Sequence, residues 1–167
     1  MTSSSNQSDQ NTLIKEGKKP ISFSFFDSKG KKYELNDILG KKNIVIYFYP
    51  KDFTPGCTIQ AEEFTENYDD FKNKEIEVIG ISPDSDESHL KFREKMHIPY
   101  MLTADTNNEI SKKYGVFGLK KFMGKEYYGV NRTTFLINKE GIIVKVLQKV
   151  KPSGHSKQVL DFYQDNQ

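Results

Sequence analysis

The chain has one cysteine, no tryptophan and only two arginines among its 25 basic residues. A single cysteine excludes an internal disulfide framework. The first residues, MTSSSNQSDQNTL, lack the basic and then apolar stretches of an export signal, so a reducing, cytoplasmic setting is expected. No apolar run approaches the roughly 20 residues of a membrane-spanning helix. The longest, IVIYFYP from Ile44, is strand length. Clustered histidines, cysteine pairs and a phosphate-cradling glycine loop are also lacking, so neither a metal nor a nucleotide nor any other cofactor is expected. His89, His97 and His155 each stand alone, as surface or helix-end residues do. Charge is evenly spread: the net value is +2, and lysines such as the Lys120-Lys121 doublet read as solvated loop faces. Nucleic acid, which needs a basic stripe, is not an expected partner.

What is present fits one globular domain. At 167 residues, with 35% hydrophobic and 29% charged residues, the chain can bury a substantial core. Residues 1–17 read as a disordered polar tail and residues 18–165 as a single domain. Ile21 to Leu35 alternates around Asp27-Ser28-Lys29-Gly30 as a β-hairpin does, and a helical turn is expected at Asn36 to Leu39. The apolar runs Asn43–Tyr49 and Ile76–Ser82 predict buried strands. From Thr54 to about Lys72, Cys57, Ala61, Phe64, Tyr68 and Phe71 recur at helical spacing and define one apolar face. Further helices are expected over Ser85–Met96, Thr106–Tyr114 and Gly154–Tyr163. A short extended piece follows Ile98, and a strand pair spans Thr133–Asn138 and Ile142–Gln148. The stretch GVFGLKKFMGKEYYGV reads as a loop. This order predicts an α/β fold, a central mixed sheet flanked by helices with an N-terminal β-hairpin extension.

The chemistry gathers at the lone cysteine. Thr54 is a favoured N-cap, its hydroxyl expected to accept a bond from the first-turn amides. Pro55 suits the first helical position. Cys57 then falls in the first turn, where unpaired amides and the positive end of the helix dipole stabilise a thiolate. Gly56 leaves room for a small substrate to approach over bare backbone. Pro50, Tyr47, Tyr49 and Phe53 are placed to wall a pocket around the sulfur. The plain alternative is a buried, inert structural cysteine. Arg132 precedes the strand run TTFLIN; it is either an ordinary strand-edge cation or a guanidinium aimed at the thiolate and an incoming oxyanion.

Pro50, Thr54 and Cys57 in PKDFTPGC match the P-x-x-x-T-x-x-C pattern of the peroxiredoxins. TPGCTIQA, with FMGKEYYGVNRTTFLI and VKPSGHSKQVL downstream, resembles the peroxiredoxin Q branch, also called bacterioferritin comigratory protein, from about Ile21 to Tyr163. The resemblance implies a thioredoxin-like fold and a thiol peroxidase that reduces hydrogen peroxide and organic hydroperoxides, without metal or haem, in redox homeostasis. It implies Cys57 as the peroxidatic nucleophile, Thr54 and Arg132 as partners of the peroxide and thiolate, and Pro50 as a shield of the sulfur. Gln60, one turn on, is implied to orient Arg132, and Tyr49 lines the site. Branch members often carry a second, resolving cysteine; the corresponding positions here are Glu62 and Ser111. A one-cysteine enzyme is therefore implied, monomeric or weakly dimeric, its sulfenic acid reduced by an outside thiol such as thioredoxin, glutaredoxin or a low-molecular-weight thiol. A disulfide reductase would need a C-x-x-C pair, and a glutathione peroxidase a catalytic tryptophan. The rival from another class is a peroxide sensor or redox-dependent chaperone that passes on the oxidation state of Cys57.

Overall fold

The computed structural model describes residues 12–27 and 29–166. The expected tail lies largely outside them, but its last residues are part of the domain. Ile14 N–H donates to Tyr114 O, Gly17 N–H donates to Ile143 O, and the Val146 amide donates to the Glu16 carboxylate. The structured chain thus starts before residue 18, because backbone groups in Ile14–Gly17 find partners on two distant elements.

A short hairpin, β1 (Ser24–Phe26) and β2 (Lys32–Glu34), leads into one helical turn, α1 (Leu35–Ile38). The central sheet is built from β3 (Asn43–Phe48), β4 (Ile76–Ser82), β5 (Met101–Ala104), β8 (Thr133–Ile137) and β9 (Ile143–Leu147), in the order β5-β4-β3-β8-β9. β3, β4 and β5 run parallel; β8 is antiparallel to both β3 and β9. The sheet is mixed and lies between helices, as expected. Its helices are α2 (Pro55–Glu66), α3 (Tyr68–Asn73), α4 (Asp86–Met96), α5 (Glu109–Tyr114) and α6 (His155–Asp165). The stretch read as a loop is instead a separate hairpin, β6 (Phe117–Phe122) and β7 (Lys125–Val130), closed by Met123 and Gly124, both at positive φ. A two-residue turn of this kind matches the twist of paired strands.

β3 shows how the sheet sorts its residues. Side chains alternate across a strand. Val45 and Tyr47, followed by Tyr49, face the cluster formed with Cys57, Ala61 and Phe64 of α2, Phe71 of α3, Phe92 of α4, and Val159 and Tyr163 of α6. Ile44, Ile46 and Phe48 face the other cluster, with Phe25, Leu35, Tyr114, Phe135 and Ile137. The helix expected to run unbroken to about residue 72 is broken at Asn67, whose side-chain amide donates to Ser156 Oγ on α6 at 2.7 Å. Neither glycine nor proline marks that break, which follows from a tertiary contact. No helix among the described residues is long and apolar enough to cross a membrane.

Candidate active site

β3 delivers the segment Tyr49–Thr54 to the C-terminal end of the parallel strands, and α2 starts directly after it. Thr54 is the extended N-cap residue and Pro55 the first helical residue. The Thr54 hydroxyl does not cap the helix; it donates to Lys51 O at 2.8 Å. The expected capping bond is therefore replaced by a bond that folds the preceding loop back on itself. The first-turn amides are left without a side-chain acceptor, which keeps the positive end of α2 directed at whatever anion lies there. Cys57 sits in that turn with only 1% of its surface exposed.

Arg132 lies in the link between β7 and β8. Thr133 pairs with Phe48, so the arginine is held at the same end of the sheet as the cysteine loop. Its two terminal nitrogens split their work. Nη2 donates to Cys57 Sγ at 3.4 Å, and Nη1 donates to Gln60 Oε1 at 2.6 Å. Gln60 is fully buried one turn after Cys57, so the helix that carries the thiol also orients its cation. Among the described residues the Gln60 Nε2 has no hydrogen-bond partner. Gly56 has a packing role besides leaving space for substrate. A Cβ there would lie 3.1 Å from Arg132 Nη2 and 3.1 Å from Pro152 Cγ, so the bare backbone lets the guanidinium close on the sulfur.

Three sequence-predicted residues are thus brought together: Cys57, Arg132 and Gln60. Thr54 is at the expected cap with a different hydrogen bond. Pro50 is half-buried at the end of β3. Tyr49 is core rather than pocket wall: it is 1% exposed and stacks on Tyr47 at 5.4 Å between ring centres. Phe53, expected to wall the pocket, is half exposed, and its ring meets Phe92 edge-on at 5.1 Å. Burial raises the phenols of Tyr47, Tyr49 and Tyr100 above the ordinary tyrosine range, so these rings keep their protons. The Tyr47 and Tyr100 hydroxyls share one of those protons at 2.6 Å.

Several polar neighbours of this site were not singled out from the sequence. Lys120 is half-buried, unlike the exposed Lys121 beside it, and donates to Val130 O at 2.8 Å. Burial pushes its ammonium below the ordinary lysine range, the Arg132 charge pushes the same way, and a Cys57 thiolate pulls it back. His155, expected at a surface or a helix end, is the first residue of α6 but is buried at 1% exposure; its Nε2 lies 2.8 Å from Thr134 Oγ1, and its ring meets Phe64 edge-on. Burial lowers it to about 4, the Gln158 hydrogen bond opposes this, and the Arg132 charge adds to it. His89 is likewise buried, 2.7 Å from the Asp52 carboxylate. Asp52, Asp84 and His89 bring ligand atoms within 4.8 Å of one another, a grouping of the kind that could hold a metal ion. Here the histidine nitrogens face Asp52 Oδ2 and Thr103 O, so the contacts present are those of a hydrogen-bonded network. The one available signal for His89 was a polar residue in register with Phe92 and Met96 on the apolar side of a helix.

A family model described as the AhpC/TSA family matches residues 17–146. The peroxiredoxin Bcp of Bacillus subtilis is 41% identical over 152 residues, which cover 91% of this chain and 96% of that protein. Among solved structures, the bacterioferritin comigratory protein of Xanthomonas campestris was studied for its alkyl peroxide reduction activity. It matches with a TM-score of 0.79 and 33% identity, over 86% of this chain and 91% of that one. A cysteine-to-serine mutant of Xylella fastidiosa PrxQ matches with a TM-score of 0.85 and 28% identity, over 93% and 98% of the two chains. These neighbours have the thioredoxin-like fold. With its own thiol, guanidinium and helix start arranged as above, the chain belongs to the AhpC/TSA family, among the peroxiredoxins of the Bcp or Q type.

Proposed function

We propose that this protein is a thiol peroxidase in which Cys57 reduces hydrogen peroxide and organic hydroperoxides. The observation that carries the reading is the Arg132 fork, one nitrogen on Cys57 Sγ at 3.4 Å and the other on Gln60 at 2.6 Å. The Cys57 thiolate attacks the terminal oxygen of the hydroperoxide. An S–O bond forms as the O–O bond breaks, and the leaving oxygen takes the electron pair and a proton, giving water or an alcohol. Cys57 becomes a sulfenic acid. Arg132 stabilises the thiolate and the charge growing on the peroxide oxygens. Thr54, whose own proton is committed to Lys51 O, can accept a hydrogen bond from the peroxide O–H and so fix its orientation. Pro50 closes the loop over the sulfur, and Tyr49 supports that loop from below.

The chain has no second cysteine; Glu62 is exposed on α2, and Ser111 is buried with its amide on Asp105. Recycling then needs an outside thiol, thioredoxin, glutaredoxin or a low-molecular-weight thiol. One thiol condenses with the sulfenic acid, releasing water and leaving a mixed disulfide, and a second thiol frees Cys57. Such a cycle suits the thiol-rich cytoplasm and a monomer or weak dimer. The burial of Cys57 favours one second reading, a peroxide sensor that recycles slowly.

Intact mass after one equivalent of peroxide, with a sulfenic-acid trap present, tests the chemistry. One adduct is expected on the wild-type chain and none on Cys57→Ser. A wild-type chain without an adduct contradicts the reading. Steady-state peroxide consumption with the thioredoxin system or with small thiols separates enzyme from sensor. No turnover with any donor after complete oxidation would favour the sensor.

A further inference from the structure

We infer that His89 is a positioning residue for the peroxide site: through Asp52 it holds the Pro50–Thr54 loop in the shape that aims Thr54. This inference rests on the peroxidase reading of Cys57.

Asp52 lies within the segment that carries the reactive groups, yet it is 3% exposed and its carboxylate enters a buried polar network. Its carboxylate is surrounded by donors. Tyr49 OH donates to Oδ1 at 2.7 Å, Ser88 Oγ donates to Oδ2 at 2.8 Å, and His89 Nδ1 lies 2.7 Å from Oδ2. The Asp52 backbone amide is also held, donating to Asp84 Oδ2 at 2.8 Å, and Ser82 Oγ donates to that same oxygen at 2.7 Å. His89 completes the link to the sheet. Its Nε2 lies 3.1 Å from the Thr103 carbonyl while its Nδ1 faces Asp52 Oδ2, so both ring nitrogens are engaged at once. The ring therefore ties the loop, α4 and β5 together at one buried point.

The loop needs such a hold. Phe53, the next residue, sits at φ 67°, a left-handed conformation that side-chain-bearing residues adopt at a cost. Its ring is half exposed and meets the Phe92 ring edge-on, so solvent borders much of this strained residue. Just beyond it, Thr54 fixes its hydroxyl on Lys51 O, a group inside the same turn. The direction of the Thr54 lone pairs is thus set by loop conformation, and loop conformation is set by Asp52. A misplacement of about 1 Å in such a group costs on the order of 100-fold in rate. Cys57 belongs to α2 and Arg132 to the link that leads into β8, so they keep their own contact when the loop loosens.

The test compares two reactions of one sulfur. Single-turnover oxidation of Cys57 by hydrogen peroxide needs the aligned loop; alkylation by iodoacetamide needs the thiolate but no aligned peroxide. In His89→Gln and Asp52→Asn the peroxide rate is expected to fall 10-fold or more, roughly, while alkylation is unchanged or faster. Ile143→Val, a core change on the opposite face of the sheet, is the stability control; it should lower Tm and leave the ratio of the two rates unchanged. If His89→Gln and Asp52→Asn do not fold, Ser88→Ala, which removes one donor to Asp52, decides the matter with an expected fall of about threefold in that ratio. A folded variant whose ratio equals that of the wild type overturns the assignment. A wild-type peroxide rate no greater than that of free cysteine overturns the peroxidase reading, and this one with it.

Discussion

Arg132 illustrates what an arginine does in a lysine-rich chain that a lysine would not. Its planar fork reaches Gln60 Oε1 at 2.6 Å and Cys57 Sγ at 3.4 Å with different nitrogens, which a single ammonium cannot do. The other arginine, Arg93, uses one nitrogen on the Ile98 and Tyr100 carbonyls and holds the turn after α4, and neither bond involves the thiol. Arg132→Lys is therefore expected to lower the single-turnover peroxide rate by roughly 100-fold or more, the usual cost of removing a preorganised donor. Arg93→Lys should leave that rate nearly unchanged while lowering Tm. Comparable rate losses in the two variants, measured by stopped-flow, would contradict the role of Arg132. Cys57 was marked in the sequence by the Thr-Pro-Gly-Cys helix start, Arg132 by being one of only two arginines and by the family resemblance, and Gln60 by that resemblance alone. The Thr54 hydroxyl was misread because a good N-cap residue can satisfy its proton locally, here on Lys51 O, and cap nothing.

At the scale of elements, the strands and the start of α2 follow from short-range pattern: apolar runs of strand length and a Thr-Pro signal at a helix start. The break at Asn67 and the β6–β7 hairpin do not. The first depends on Ser156, far along the chain; in the second, Lys120 and Lys121 interrupt the alternation that would have announced a strand. β4 holds a residue whose choice is equally tertiary. A Cβ on Gly80 would lie 3.0 Å from Leu102 Cδ2 and 3.0 Å from Tyr47 Cζ. The missing side chain makes room for the Tyr47 ring, which stacks on both Tyr49 and Phe64 beneath the cysteine helix. Gly80→Ala should overpack this layer and cost about 1–3 kcal/mol in urea unfolding. An unchanged midpoint would show that the stack yields without strain.

The whole molecule joins two apolar layers on the faces of one sheet, and its buried polar groups sit where helices meet that sheet. Such groups were the least legible, since Asp52 and His89 or Thr134 and His155 meet only after the chain folds. His155 gives the fold a pH dependence. Burial holds it at about 4 in the folded protein against 6.5 in the unfolded chain, so the unfolded chain takes up the proton first as pH falls. Stability from this residue is complete above about pH 6.5 and declines toward pH 4, by about 3 kcal/mol at most. Urea midpoints across that window should fall for the wild type and flatten for His155→Gln; parallel curves would contradict the buried, neutral state.

The most direct measurement is the second-order rate of Cys57 oxidation by one equivalent of hydrogen peroxide, compared with free cysteine under the same conditions. The arrangement of α2, Arg132 and the Pro50–Thr54 loop predicts a rate at least about 100-fold above the free thiol. A rate equal to that of free cysteine would contradict Cys57 as an activated nucleophile.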